Sequence, residues 1–252
     1  MIDFTGKRAL ITGGSRGVGR AAAVLLARAG AEVGMTYHSR EKDALETLDL
    51  IQAEGSRGWA VQANFENKNC INPMFSRVDD EFPGGFDFFI ANAGVWPPHE
   101  VGVAEMEDAQ WRRTIAVNLD AVFFATRAAA KRLREHGRIV YVGSTAGQRG
   151  EAYHVDYAAT KGALHAMVKG LCIELADRDI TVNAVAPGWI DTEMTADPLQ
   201  TDQRAEIEAA IPLGRVASAE DVAGPIAFLC SDLARHVTGE ILNVNGGSVL
   251  CG

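Results

Sequence analysis

Seven short apolar or β-branched runs, residues 8–12, 32–36, 59–62, 86–91, 138–142, 181–186 and 241–244, recur along the chain with longer stretches between them. Runs this short and this apolar suit strands covered on both faces, and parallel strands need connections of a dozen or more residues, normally helices. The intervening segments 17–29, 43–54, 111–135 and 153–177 have the length and composition of such helices. The pattern therefore predicts an α/β architecture: a doubly wound, seven-stranded parallel sheet with helices on both faces. At 252 residues, one domain spanning 1–252 is expected. Residues 189–215 interrupt the alternation. The stretch 193–212 is polar, contains Pro198 and follows Pro187-Gly188, so a substrate loop or lid is predicted there.

Charge and cysteine usage exclude several functions. With 24 Lys plus Arg against 33 Asp plus Glu, the net charge is −9, which offers no basic field to a nucleic-acid backbone. Cys70, Cys172, Cys230 and Cys251 are scattered without metal-ligand spacing, so neither disulfide nor metal is expected. The start lacks a signal-peptide pattern, and no apolar run approaches the ~20 residues of a bilayer span. A cytoplasmic protein that engages no membrane is predicted.

The first strand runs into Thr12-Gly13-Gly14-Ser15-Arg16-Gly17-Val18-Gly19, where a helix begins. Glycines at such a turn let the backbone approach a pyrophosphate and let the helix pack close to the sheet, while the helix N-terminus attracts anions. A second turn, Asn92-Ala93-Gly94, follows the fourth run. Sites that take NAD usually carry an acid about 20 residues beyond the glycines, on the ribose hydroxyls. Here the second strand ends in Tyr37-His38-Ser39-Arg40 instead. With Arg16, these residues provide two guanidinium groups and an imidazole for a 2′-phosphate, so NADP(H) is preferred as cofactor, with NAD(H) as the alternative.

Tyr157 and Lys161 stand one helical turn apart, with Ser144 upstream at a strand end. A free tyrosine titrates near pH 10, and a cation within about 4–6 Å lowers that by about 1–3. The spacing places the two side chains within reach, so a lowered phenol pKa is expected.

Together these motifs resemble the short-chain dehydrogenase/reductase family, whose ordered landmarks also include Asn118, Pro187-Gly188, Thr192 and Val244-Asn245-Gly246-Gly247. The similarity covers nearly the whole chain, with 3-oxoacyl-acyl-carrier-protein reductases as the nearest subgroup. The resemblance implies a Rossmann fold with Tyr157 as general acid/base, Lys161 lowering its pKa and holding the nicotinamide ribose, Ser144 orienting the carbonyl, and Asn118 holding a relay water. It extends the nucleotide contacts to Asn64, Phe65 and Ile190. Two positions depart from the family pattern: Asn64 replaces the usual Asp beside the adenine, and Ala91 replaces the first Asn of Asn-Asn-Ala-Gly.

For the substrate, Trp96, Gln148, His154 and Trp189 are the candidate contacts, among neighbours that include Glu151, Tyr153 and Met194. A small carbonyl or alcohol is expected, free or bound to an acyl carrier; Lys131, Arg132, Arg134 and Arg178 read as a solvated face, with contact to an acidic acyl carrier as the alternative. The alternatives are a sugar, polyol or other secondary-alcohol dehydrogenase and a dinucleotide-sensing binding protein. The last would have no need of the Ser, Tyr and Lys set. A homotetramer is expected from the resemblance and from the apolar, glycine-rich C-terminus.

Overall fold

Each of the seven runs forms a strand. The computed structural model describes residues 2–200 and 203–250, the side chain of Pro198 excepted. β1 (Arg8–Thr12) leads into α1 (Gly17–Arg28), β2 (Glu32–Tyr37) into α2 (Glu41–Ala53), and β3 (Gly58–Gln62) into α3 (Ile71–Glu81). β4 (Phe86–Ala91) is followed by α4 (Asp108–Ile115), a π-helical turn (Ala116–Asp120) and α5 (Ala121–Ala130). Next come β5 (Leu133–Val142), α6 (Ala146–Arg149), α7 (Val155–Glu174) and β6 (Thr181–Pro187). α8 (Ala196–Leu199), α9 (Gln203–Ala209), α10 (Ala219–Cys230) and β7 (Ile241–Val244) complete the chain.

Every strand pair is parallel, and the order is β3-β2-β1-β4-β5-β6-β7. The chain leaves β1 toward one edge and resumes at β4 toward the other, so a crevice opens beyond the carboxyl ends of these two strands. Strand side chains alternate between two cores. Ala9, Ile11, Ile90 and Val140 pack with α1 and α10, whereas Leu10, Phe89, Ile139 and Tyr141 pack with α3, α5 and α7. No helix among the described residues is long and apolar enough to cross a membrane.

The helix predicted over 111–135 is corrected. α5 ends at Ala130, and β5 starts at Leu133. The charged stretch Arg134-Glu135 has helical propensity, but His136 takes a left-handed φ of +62° and Gly137 follows, which a helix does not accept. A register shift between Phe86 and Phe88 accommodates the longer strand. The predicted lid segment contains two short helices, α8 and α9, with residues 201–202 outside the described residues.

Candidate active site

The crevice is built by cross-strand hydrogen bonds at the ends of β1 and β4. The Thr12 hydroxyl accepts from the backbone N–H groups of Asn92 and Ala93 at 3.0 and 3.1 Å. The Asn92 carboxamide donates to the carbonyls of Thr12 and Gly13 at 3.0 and 2.9 Å. Thr36 adds a third tie by accepting from Gly13 N at 3.0 Å. Sequence reasoning missed both threonines, because their partners lie far away in sequence.

Gly13 and Gly17 have φ of +68° and +52°, conformations that disfavour a Cβ. Gly19 plays a different part: a Cβ there would lie 2.1 Å from Gly13 O and 2.6 Å from Asn92 Nδ2, so its absence sets how closely α1 approaches the turn. α1 has no side-chain cap, its N-cap residue being the extended Arg16. Its first N–H groups therefore face the crevice without a side-chain acceptor, as an anion site requires.

A cavity of about 330 Å³ runs from this turn across the sheet. At one end Gly13, Ser15, Arg16, Gly17 and Val18 meet Tyr37, His38, Ser39 and Arg40, with Asn64 and Phe65 opposite. Gly19 lies behind this wall. Arg40 is 3.6 Å from Asp43, a pair open to solvent, and the Arg16 side chain makes no hydrogen bond or ion pair among the described residues. The Asn64 amide oxygen accepts from Glu66 N at 3.0 Å, closing a local turn. At the other end Asn92, Ala93, Gly94 and Trp96 face Ser144, Tyr157, Lys161, Pro187, Gly188, Trp189, Ile190 and Thr192.

Ser144 follows β5, and its hydroxyl accepts from Ala146 N at 3.1 Å. Gly147 lets α6 lie against α7, since a Cβ there would sit 2.5 Å from the Lys161 backbone. This approach brings Ser144 and Tyr157 to one wall of the cavity. The phenol is pushed up to about 12, first by burial, with the nearby Ser144 hydroxyl acting downward and the Glu151 charge upward. The expected lowering by Lys161 is thus corrected. Lys161 Nζ lies 5.5 Å from the Tyr157 ring centroid and donates to Val142 O at 2.8 Å. Burial pushes its own pKa down to about 8. At neutral pH the cavity holds a protonated phenol.

Besides Gly19, three candidate residues do not line the cavity. The Asn118 carboxamide is committed at both ends to Val95, accepting from its N and donating to its O at 2.8 Å each. It braces the turn after β4 from within the π-helical segment. Gln148 points instead to Asn243, donating to Oδ1 at 2.6 Å. His154 is buried, with Nε2 3.0 Å from Pro97 O, and it stacks under Trp96 at a centroid distance of 4.6 Å. Of the basic residues read as a solvated face or a carrier contact, three have partners within the chain. Arg132 pairs with Asp79 at 2.6 Å and Arg134 with Asp87 at 3.3 Å, and Arg178 donates to Leu133 O. These groups surround the amino ends of β4 and β5, opposite the cavity. No cluster of His, Cys, Asp and Glu suited to a metal occurs among the described residues.

Comparison with known proteins places this geometry among relatives. The family model described as Enoyl-(Acyl carrier protein) reductase matches residues 13–248. The chain is 40% identical over 248 residues to the 3-oxoacyl-[acyl-carrier-protein] reductase of Escherichia coli (strain K12), covering 98% of each chain. A short-chain dehydrogenase/reductase of Brucella melitensis, described as glucose/ribitol dehydrogenase, superposes with a TM-score of 0.90 at 37% identity, covering 99% of both chains. A short-chain dehydrogenase of Burkholderia cenocepacia J2315 in complex with NADP gives a TM-score of 0.91 at 36% identity, covering 97% of this chain and 98% of that one.

Proposed function

The chain belongs to the short-chain dehydrogenase/reductase family, and on that premise we propose that it is an NADP(H)-dependent oxidoreductase interconverting a carbonyl and a secondary alcohol, with Tyr157 as the proton donor. The observation that carries this reading is the placement of Ser144, Tyr157 and Lys161 together in the wall of the cavity that begins at the glycine turn.

The residues present fit the dinucleotide. The uncapped N-terminus of α1 and the left-handed Gly13 and Gly17 suit a pyrophosphate. Arg16, His38, Ser39 and Arg40 line the cavity where a 2′-phosphate would be held. Pro187, Gly188, Ile190 and Thr192 form the wall for the nicotinamide end. NADP(H), when bound, supplies or accepts the hydride. During reduction negative charge grows on the substrate oxygen, where the Ser144 and Tyr157 hydroxyls donate hydrogen bonds. Burial keeps the Tyr157 proton in place until that oxygen becomes basic enough to take it. Lys161, beside the ring and held by Val142 O, is the group that would hold the nicotinamide ribose. The substrate CH–OH group returns the proton to Tyr157 in the reverse direction.

The carbonyl named by the Escherichia coli relative is a 3-oxoacyl group on an acyl carrier, which makes an acetoacetyl thioester one arm of the test. We extend the reading to a homotetramer in a reducing cytoplasm. The tetramer is supported by apolar groups left exposed on α4 and α5. NADPH absorbance followed with a thioester and a panel of ketones tests the activity. Consumption with at least one carbonyl, faster with NADPH than with NADH, is expected. NADPH binding with no consumption on any carbonyl contradicts it.

A further inference from the structure

Beside Tyr157 the cavity wall carries two indoles and a carboxylate. Trp96, after β4, and Trp189, after β6, meet edge to face with centroids 6.1 Å apart and planes at 79°. One face of Trp96 is occupied by His154, which fixes the ring. Trp96 Nε1 donates to Glu151 Oε1 at 3.3 Å, and His154 Nδ1 lies 3.9 Å from the same oxygen. The other carboxylate oxygen, Oε2, accepts no hydrogen bond among the described residues. Glu151 lines the cavity, and its side chain is only 21% exposed.

The loop that carries this carboxylate is held in an uncommon conformation. Gly150 has φ +78°, and Tyr153, a non-glycine residue, has φ +63°. A left-handed bulky residue costs about 1 kcal/mol or more and persists where its surroundings impose it. Here the Tyr153 carbonyl is tied to Val101 N at 3.1 Å. Burial raises the Glu151 carboxyl above its ordinary range, and its charge opposes ionisation of Tyr157. The two groups therefore share one enclosure.

Neither nucleotide binding nor proton transfer calls for this carboxylate. Set against a plain alkyl chain, it would lose water and gain no partner. A hydroxyl group would satisfy Oε2, and the open indole surfaces suit the C–H face of a hydroxylated carbon chain. We infer that Glu151 is a substrate-binding residue that accepts a hydrogen bond from a hydroxyl group, so that the substrate is a small hydroxylated ketone or the corresponding polyol, lying on Trp96 and Trp189. This rests on the carbonyl reduction proposed at Tyr157 and adds the substrate class. The position of Arg132, Arg134 and Arg178 at the opposite end of the sheet agrees with a small substrate over one carried on an acidic protein.

The test compares kcat/KM with NADPH for matched pairs, acetoin against butanone and dihydroxyacetone against acetone, in wild type, Glu151→Leu and Glu151→Gln. The wild type is expected to favour at least one hydroxylated member by ~10-fold or more, because a site built for a hydroxyl rejects its deoxy analogue. Glu151→Leu should bring that ratio close to one. Glu151→Gln keeps an oxygen for Trp96 Nε1, so a residue that merely positions the indole would leave the ratio unchanged, whereas loss of the charged acceptor should lower it several-fold (~3–10). If Glu151→Leu fails to bind NADPH and so to fold, Glu151→Gln decides. Equal rates on both members of each pair, or a ratio unmoved by Glu151→Gln, overturns the inference and leaves the reading of Tyr157 intact. NADPH binding without reduction of any carbonyl sinks both.

Discussion

Lys161 enters the folded core at an electrostatic cost. Burial lowers its pKa from 10.5 to about 8, so between those values the unfolded chain holds a proton that the folded chain has released. Stability contributed by this residue therefore rises with pH from about 8 to about 10.5 and is lost as pH falls through 8. In the nucleotide-free protein, Lys161→Met should be more stable than wild type near neutrality by ~1–3 kcal/mol. Urea unfolding at about pH 7 and about pH 10 should show the gap closing at the higher pH; a constant gap would mean that Lys161 is not a buried cation. Arg16 and Arg40 answer to a different measurement. Replacing both with alanine should weaken NADPH binding by ~10-fold or more and leave NADH within a few-fold, and equal losses for the two nucleotides would remove the 2′-phosphate assignment. At this scale the sequence was informative about chemistry and poor about direction. Residue type and spacing brought Ser144, Tyr157 and Lys161 to one cavity, yet nothing local told that Gln148 turns to Asn243 or that His154 lies beneath Trp96. Those orientations are set by neighbours distant in the chain.

The elements were legible where hydrophobic period and turn chemistry agreed. β1, β4 and β7 occupy the predicted residues because each apolar run is bounded by polar or glycine residues. The helix predicted over 111–135 failed where the two signals conflicted: Arg134 and Glu135 favour a helix, but β4 offers an open edge that pairs Leu133 with Phe86. The π-helical turn at Ala116–Asp120 was invisible, since it depends on Asn118 being held by Val95. The approach of α1 to the sheet can be tested at Gly19. Gly19→Ala introduces a Cβ into the space occupied by Gly13 O and Asn92 Nδ2, and it should cost about 1–3 kcal/mol. It should also weaken NADPH binding, because the displaced groups form the glycine turn. Thermal melting and a fluorescence titration measure the two effects; an unchanged variant would mean that the helix–sheet contact is not tight.

The whole molecule leaves apolar surface that one chain does not cover. Trp111 on α4 and Phe123 on α5 are 42% and 46% exposed, and Ile173 on α7 is 76% exposed. Among the described residues β7 pairs only with β6 and forms an open edge. Open edges and apolar helix faces are normally covered, and two distinct two-fold contacts close a tetramer. Cys251, at the C-terminus, lies outside the described residues. Light scattering at micromolar concentration should report about four times the 27.0 kDa chain mass, and a stable, active monomer would contradict that assembly. The central claim concerns the phenol in the cavity, and Tyr157→Phe tests it most directly because it removes one oxygen atom and keeps the ring. With a carbonyl that the wild type reduces, kcat should fall by ~10²-fold or more while NADPH binds as before. A folded variant with near-normal kcat would show that the proton comes from elsewhere.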